Sequence, residues 1–200
     1  MRKILVMIIL TGLVASCASG KHFFGEREID SSSLVGKVYD GDNQSCDGVR
    51  ITLEDEKGNV SSYTAISDVT GSFYFSERPF GIYKISARKD GYREEIILLD
   101  LNQPNQTLYL VMYDRDQLLA LCEDMIYRKR YDRADELLDD IYTLEEDSRE
   151  GLFLEAILSW RLGLIDEALD LMDRLMAMEP DNHYLEEFKA LLDEGDLSGS

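Results

Sequence analysis

The hydrophobic period of this 200-residue chain changes once, near residue 113, and the two periods demand different architectures. Upstream, apolar residues alternate with polar ones. Val49-Arg50-Ile51-Thr52-Leu53-Glu54 does so, as do Phe73-Tyr74-Phe75 and Tyr83-Lys84-Ile85-Ser86-Ala87-Arg88. Successive strand side chains point to opposite faces, so this pattern buries one face and solvates the other. Turn-forming residues break the runs at Asp40-Gly41-Asp42-Asn43, Lys57-Gly58-Asn59, Thr70-Gly71, Pro79-Phe80-Gly81, Asp90-Gly91 and Gln103-Pro104-Asn105. Strands at that spacing, with no helical stretch between them, predict an antiparallel seven-strand-type β-sandwich over residues 34–112. From Asp114 onward apolar residues fall at helical spacing and recur at a step of 34. Tyr131 matches Ile165, Ala134 matches Ala168, Leu138 matches Met172, and Cys122, Ala156 and Ala190 share one register. A self-similar step of this length predicts stacked helix pairs over residues 113–196, with 197–200 as a tail. The expected fold class is two-domain, β then α.

Residues within each half carry a resemblance. Gly36 and Val38 lie on the opening strand and Gly48-Val49 enters the second. Asp68, Gly71, Phe73 and Phe75 fit D-x-x-G-x-F-x-F. Pro79, Gly81, Tyr83, Ile85, Ala87, Gly91 and Tyr92 fit P-x-G-x-Y-x-I-x-A-x-x-x-G-Y. By these residues the first half resembles the carboxypeptidase regulatory-like domains, transthyretin-like sandwiches related to collagen-adhesin B repeats. Gly71 and Gly81 are expected in tight turns at positive φ. Some adhesin relatives form an internal Lys–Asn bond with an acid at the position held here by Ala87, so no isopeptide is expected. In the second half Leu152, Ala156, Gly163, Ile165, Ala168, Met172 and Pro180 sit at signature positions of the tetratricopeptide (TPR) repeat, which this half resembles. The resemblance implies a short TPR solenoid of two and a half units. It also shows departures: Lys129 stands at the turn glycine of the first unit, Glu146 at its closing proline, and Glu155 and Ser159 at usually apolar positions.

The N-terminus reads as an export signal. Arg2 and Lys3 precede an apolar run from Ile4 to Leu13 that is too short for an ordinary membrane span. It ends in Leu13-Val14-Ala15-Ser16-Cys17, which resembles the lipobox of bacterial lipoproteins. The resemblance implies cleavage after residue 16 and lipidation of Cys17. Residues 17–33 would then be a lipidated tether, holding the chain in a bacterial cell envelope. Ala18, where sorting to the inner membrane uses Asp, favours the outer membrane. No other hydrophobic stretch is long enough to cross a bilayer.

Charge narrows the partners. The chain has 21 basic and 40 acidic side chains, a net of −19. Residues 113–200 alone hold 9 basic and 25 acidic ones. Nucleic acid is excluded as a partner, because phosphate contacts need Lys and Arg in excess; a basic protein surface is favoured. Cys46 and Cys122 are too few for a disulfide scaffold, and whether they pair depends on how the halves meet. The histidines, His22 and His183, have no metal-ligand spacing. No nucleophile elbow, phosphate loop or zinc-protease motif occurs. The stretch beginning Asp40-Gly41-Asp42 lacks the Gly and Glu of a calcium loop, having Ser45 and Ile51 there, and reads as a strand connection. The chain is thus expected to be non-enzymatic and to need no cofactor beyond lipid on Cys17.

The expected function is a membrane-anchored protein-interaction scaffold or assembly factor. By position in the TPR resemblance, its groove would use Leu119, Glu123, Ile126, Tyr127, Phe153, Ile157, Trp160, Arg161, Tyr184 and Glu187. Tyr127, Phe153, Ile157, Trp160 and Arg161 form the candidate partner site, since an aromatic beside an arginine suits a binding hot spot. The alternative is a glycan- or polymer-binding lipoprotein whose sandwich is the binder, through tyrosines such as Tyr63, Tyr92 and Tyr109.

Overall fold

A computed structural model describes residues 31–55 and 62–194. The export signal, Cys17, the tether with His22 and the Lys57-Gly58-Asn59 turn lie outside the described residues. Seven strands come first: β1 (Ser31–Asp40), β2 (Arg50–Asp55), β3 (Ser62–Ile66), β4 (Ser72–Pro79), β5 (Gly81–Arg88), β6 (Glu95–Leu101) and β7 (Asn105–Met112). They form a three-stranded sheet of order β4-β1-β7 and a four-stranded sheet of order β3-β2-β5-β6. The inward residues of both sheets, among them Leu34, Val38, Ile51, Leu53, Phe73, Ile85 and Met112, share one core. The expectation of an antiparallel sandwich needs one correction. β1 and β7 run parallel, with Leu34 beside Gln106 and Val38 beside Leu110. The chain has passed through the other sheet before β7 returns to the free side of β1, so no hairpin dictates their direction.

The motif residues are explained by what they touch. Asp68 accepts hydrogen bonds from the Thr70 hydroxyl (2.7 Å) and from the backbone N–H groups of Thr70 (2.8 Å) and Ser72 (3.0 Å). Those bonds hold its carboxyl below the usual carboxylate range, the Thr70 hydroxyl foremost. They also shape the turn that puts Gly71 at φ 73, where a Cβ would collide with the Val38 carbonyl oxygen. The Tyr83 hydroxyl donates to the Pro79 carbonyl (2.9 Å), tying the β4–β5 turn to the core. Gly81 departs from expectation: it opens β5 outside the positive-φ region, and the unusual residue there is Glu77 at φ 52. Glu77 belongs to a β-bulge, since Leu34 pairs with Phe75 but Ser32 with Arg78. The Asp40 carboxylate accepts from the Asp42 (3.0 Å) and Gln44 (2.8 Å) N–H groups, closing the strand connection locally.

Five helices follow: α1 (Arg115–Tyr127), α2 (Tyr131–Leu144), α3 (Arg149–Arg161), α4 (Ile165–Met178) and α5 (His183–Glu194). The step of 34 reappears in the backbone. Asp114 and Ser148 cap α1 and α3 by accepting from the Gln117 and Gly151 N–H groups. Arg130 (φ −92, ψ 61) and Leu164 (φ −86, ψ 64) open α2 and α4 alike. Lys129 (φ 59) takes the same left-handed conformation as Gly163 (φ 82), although it carries a side chain. Lys129→Gly should therefore raise stability by about 1 kcal/mol, measured as a higher urea midpoint at unchanged m-value. An unchanged or lowered midpoint would show that the left-handed turn costs Lys129 nothing. Glu155, at a usually apolar position, accepts a 2.6 Å hydrogen bond from the Tyr142 hydroxyl of α2. Cys122 and Ala156 are wholly buried, whereas Ala190, in the same register on α5, is exposed beside exposed Glu186. That face of α5 is solvated where α1 and α3 carry a partner helix.

The halves meet through specific polar contacts. The Gln117 side chain accepts from the Gly41 N–H (3.1 Å) and donates to Asp42 (2.9 Å). The Arg93 N–H donates to the Tyr113 carbonyl (2.9 Å), and its guanidinium bridges Glu95 (2.6 Å) and Asp140 of α2 (2.7 Å). Cys46 and Cys122 are both free, each buried in a different core, so no disulfide joins them.

Candidate functional site

The α-helical half encloses a groove of about 710 Å³. α1 contributes Leu119, Ala120, Glu123, Ile126 and Tyr127; α3 contributes Arg149, Glu150, Phe153, Leu154, Ile157 and Arg161. Leu175 of α4, Glu179 and Asn182 of the following turn and Leu185 of α5 complete it. The pairing of α1 with α3 follows from register: Leu119 and Phe153, Ala120 and Leu154, Glu123 and Ile157, Tyr127 and Arg161 each lie one step of 34 apart. Equivalent positions on equivalent helices face the same way, and two adjacent helices then build one continuous surface. The floor is apolar. Phe153 is braced by Phe188 of α5, their ring centroids 5.0 Å apart.

Charges sit on the rim. Arg149 donates to Glu179 (3.1 Å), which also accepts from the Asn182 amide (2.7 Å). These bonds, that of Asn182 first, hold the Glu179 carboxyl below its ordinary range. Glu150 is engaged by Arg115. Arg161 stacks over the Trp160 ring at 4.8 Å, and among the described residues it forms no ion pair. Tyr127 is 85% exposed at the groove mouth. The groove holds no nucleophile–base pair. Cys122, the nearest thiol-bearing side chain in this half, is buried outside the lining, and desolvation pushes its thiol up to about 12. No group of His, Cys, Asp and Glu among the described residues could hold a metal ion.

Four of the five residues expected from sequence, Tyr127, Phe153, Ile157 and Arg161, line this groove together. Trp160 is not in its lining; it lies half-buried against the core of α3, α4 and α5. Tyr184 and Glu187 are exposed on α5, outside the groove. Ala120 and Leu154, one step of 34 apart, line the groove without having been expected there, as do Arg149 and Glu150 of α3 and the residues from α4, α5 and the turn between them. Trp160 follows Ile126 by the same step, and Ile126 is 7% exposed. Ile126 nonetheless lines the groove, so register alone would include Trp160, and its packing against the core of α3, α4 and α5 takes it out. Of the three named tyrosines on the sandwich, Tyr63 lies under the Arg78 guanidinium (3.9 Å) and Tyr92 beside the Lys89 ammonium (4.8 Å), both half-buried, while Tyr109 is exposed.

A family model for the carboxypeptidase regulatory-like domain matches residues 33–111. This half is a carboxypeptidase regulatory-like domain. Among solved structures, the chain is similar to the Bacillus anthracis TIE protein (14% identity, TM-score 0.38), covering 42% of this chain and 17% of that one. It is also similar to BcpA, the major pilin subunit of Bacillus cereus (19% identity, TM-score 0.34, 42% of this chain and 29% of that one). A third is the major pilin SpaD of Corynebacterium diphtheriae (14% identity, TM-score 0.35, 42% of this chain and 30% of that one). The chain therefore spans less than a third of the length of each of these three proteins. No curated protein matches the chain by sequence. No helix among the described residues is long and apolar enough to cross a membrane.

Proposed function

We propose that this chain is a non-catalytic envelope lipoprotein, held by lipid on Cys17, whose helical half is a short TPR array that binds a segment of another envelope protein. The observation that carries this reading is the apolar-floored groove built by equivalent positions of α1 and α3. Its volume and polar rim suit a few anchoring side chains of a peptide or helix, and such anchors supply most of the affinity in an interface. The regulatory-like domain acts as a spacer between membrane and groove. The surplus of acids in residues 113–200 steers a basic partner toward it.

The test uses tagged full-length chain, crosslinked and captured from its native cell, beside a Tyr127→Ala, Arg161→Ala variant. Both side chains are exposed, so the circular dichroism spectrum should not change. Recovery of the partner should fall by about tenfold or more; a partner retained at wild-type level rejects the groove as the site. Cys17→Ser should release the chain from the membrane fraction, and retention there would reject the anchor. The alternative, a glycan-binding sandwich, is favoured by one observation: Tyr109 and Tyr74 are 66% and 55% exposed on the outer face of the three-stranded sheet. If Tyr109→Ala, and not the groove variant, abolishes retention on cell-wall polysaccharide, that reading replaces the first.

A further inference from the structure

Two arginines stand side by side on the outer face of the four-stranded sheet. Arg50 opens β2 directly opposite Arg88, the last residue of β5. Their chain neighbours Ile51 and Ala87 are wholly buried, so the alternation of a strand turns both arginines outward. Directly opposed residues have Cβ atoms about 5 Å apart, and like charges placed so are destabilising.

The chain has 40 acidic side chains to 21 basic ones, yet no carboxylate separates these two. On its other side Arg50 faces Ile66 of β3, which is 59% exposed. Thr52 follows it outward along β2, and the diagonal strand positions hold Thr64 and Ser86. Past the strand ends, Asp68 is committed to Thr70 and Ser72, and Asp90 forms no ion pair with either arginine. Among the described residues Arg50 makes no hydrogen bond or ion pair. Arg88 donates through Nε to Glu94 (2.6 Å), and its side chain remains 67% exposed. One carboxylate therefore serves two guanidinium groups.

Both arginines line a cleft of about 800 Å³ that is bordered by Thr143 and Leu144 of α2. Its other charged lining residues are Lys89, Asp90 and Glu94, so cations outnumber acids here on a chain whose net charge is −19. Lys89 is steadied by Asp47 (3.5 Å) and lies beside the Tyr92 ring (4.8 Å). We propose that this cleft binds a phosphate group, bridged by Arg50 and Arg88. A phosphate presents several acceptor oxygens around one centre, so two planar guanidinium forks can donate to it at once. Its negative charge cancels the repulsion that the strand pairing imposes, and hydrogen bonds between ionised partners are roughly twice as strong as neutral ones.

Titration calorimetry of the full-length chain with inorganic phosphate, in a buffer free of other multivalent anions, tests this. Wild type should bind saturably, and Arg50→Gln should weaken binding by about tenfold or more. Arg50→Lys should recover only part of the loss, because an ammonium lacks the fork. Lys84→Gln, further along the same face of β5 and opposite Glu54, should bind as wild type does. Without phosphate, Arg50→Gln should match or exceed the wild-type thermal midpoint, since the like-charge pair is gone. Added phosphate should then raise the midpoint of wild type and not that of the variant. Glycerophosphoglycerol, a soluble phosphodiester, separates the sources. If it binds as well as inorganic phosphate, the natural ligand is a diester such as a lipid headgroup. If only inorganic phosphate binds, it is free phosphate or a monoester. Absence of saturable phosphate binding below about 10 mM, or binding and a midpoint shift that Arg50→Gln leaves intact, overturns the proposal. The groove plays no part in this contact, so either proposal can fail alone.

Discussion

Gly36→Ala should lower the thermal midpoint of the regulatory-like domain by more than about 10 °C, a loss of about 3 kcal/mol. Gly36 lies in the middle of β1 and faces the core between Leu34 and Val38. Its cross-strand partner on β4 is Phe73, whose ring lies over the glycine and fills the space that a side chain there would take. A Cβ at residue 36 would overlap that ring and stand 2.7 Å from the Leu108 carbonyl oxygen of β7. The ring can turn only into a core that is already full, and the carbonyl belongs to the ladder of β1 with β7. Strain and lost pairing therefore fall on both neighbours of β1 at once. Thermal unfolding followed by near-ultraviolet dichroism measures the effect. A double variant, Gly36→Ala with Phe73→Leu, should lose less than the sum of its single changes, since a smaller side chain yields room. Strict additivity would mean that the Leu108 carbonyl, and not the ring, sets the cost.

Arg93→Met should cost about 3 kcal/mol and should uncouple the two halves. Arg93 is 20% exposed, and its guanidinium bonds both Glu95 of the sandwich and Asp140 of α2, themselves 25% and 29% exposed. Methionine keeps much of the aliphatic stem and removes the charge. Two partly desolvated carboxylates then face each other without a cation between them. Removing one member of such a group costs more than the group contributes as a whole. Wild type should unfold in a single calorimetric transition, with the variant resolving into two as the helical half loses its hold on the sandwich. Arg93→Lys should recover only part of the loss, because an ammonium lacks the fork that serves both carboxylates in fixed geometry. Pairing the change with Asp140→Asn should show a coupling of about 1–2 kcal/mol. A single transition at the wild-type midpoint would place the coupling in Gln117 and its bonds to Gly41 and Asp42 instead.

The groove divides differently between what sequence shows and what it conceals. Following the step of 34 along α1 and α3 brings Leu119, Glu123, Tyr127, Phe153, Ile157 and Arg161 to one surface, because equivalent positions on stacked helix pairs face alike. Trp160 attracts notice by its residue type beside Arg161. Its register partner Ile126 lines the groove, so register alone would keep it, and only its packing against the core of α3, α4 and α5 leaves it out. Glu179 and Asn182 lie one step of 34 after Glu145 and Ser148 and repeat their backbone bond, the N–H of the later residue donating to the carbonyl of the earlier one, yet of the two turns only theirs reaches the rim.

The sequence by itself determined where β structure ends and helix begins, which residues of β2, β4 and β5 face inward, and the step that sets α1 against α3. These follow from local periodicity, since the alternation of a strand and the turn of a helix are properties of a few consecutive residues. The tertiary structure alone decided that β7 runs parallel to β1, that Cys46 and Cys122 belong to separate cores, and that Arg93 and Gln117 join the halves. It alone decided that Gly36 is roofed by Phe73. These contacts link residues far apart in the chain, and they form only once the two sheets have closed on their core and brought those residues within reach.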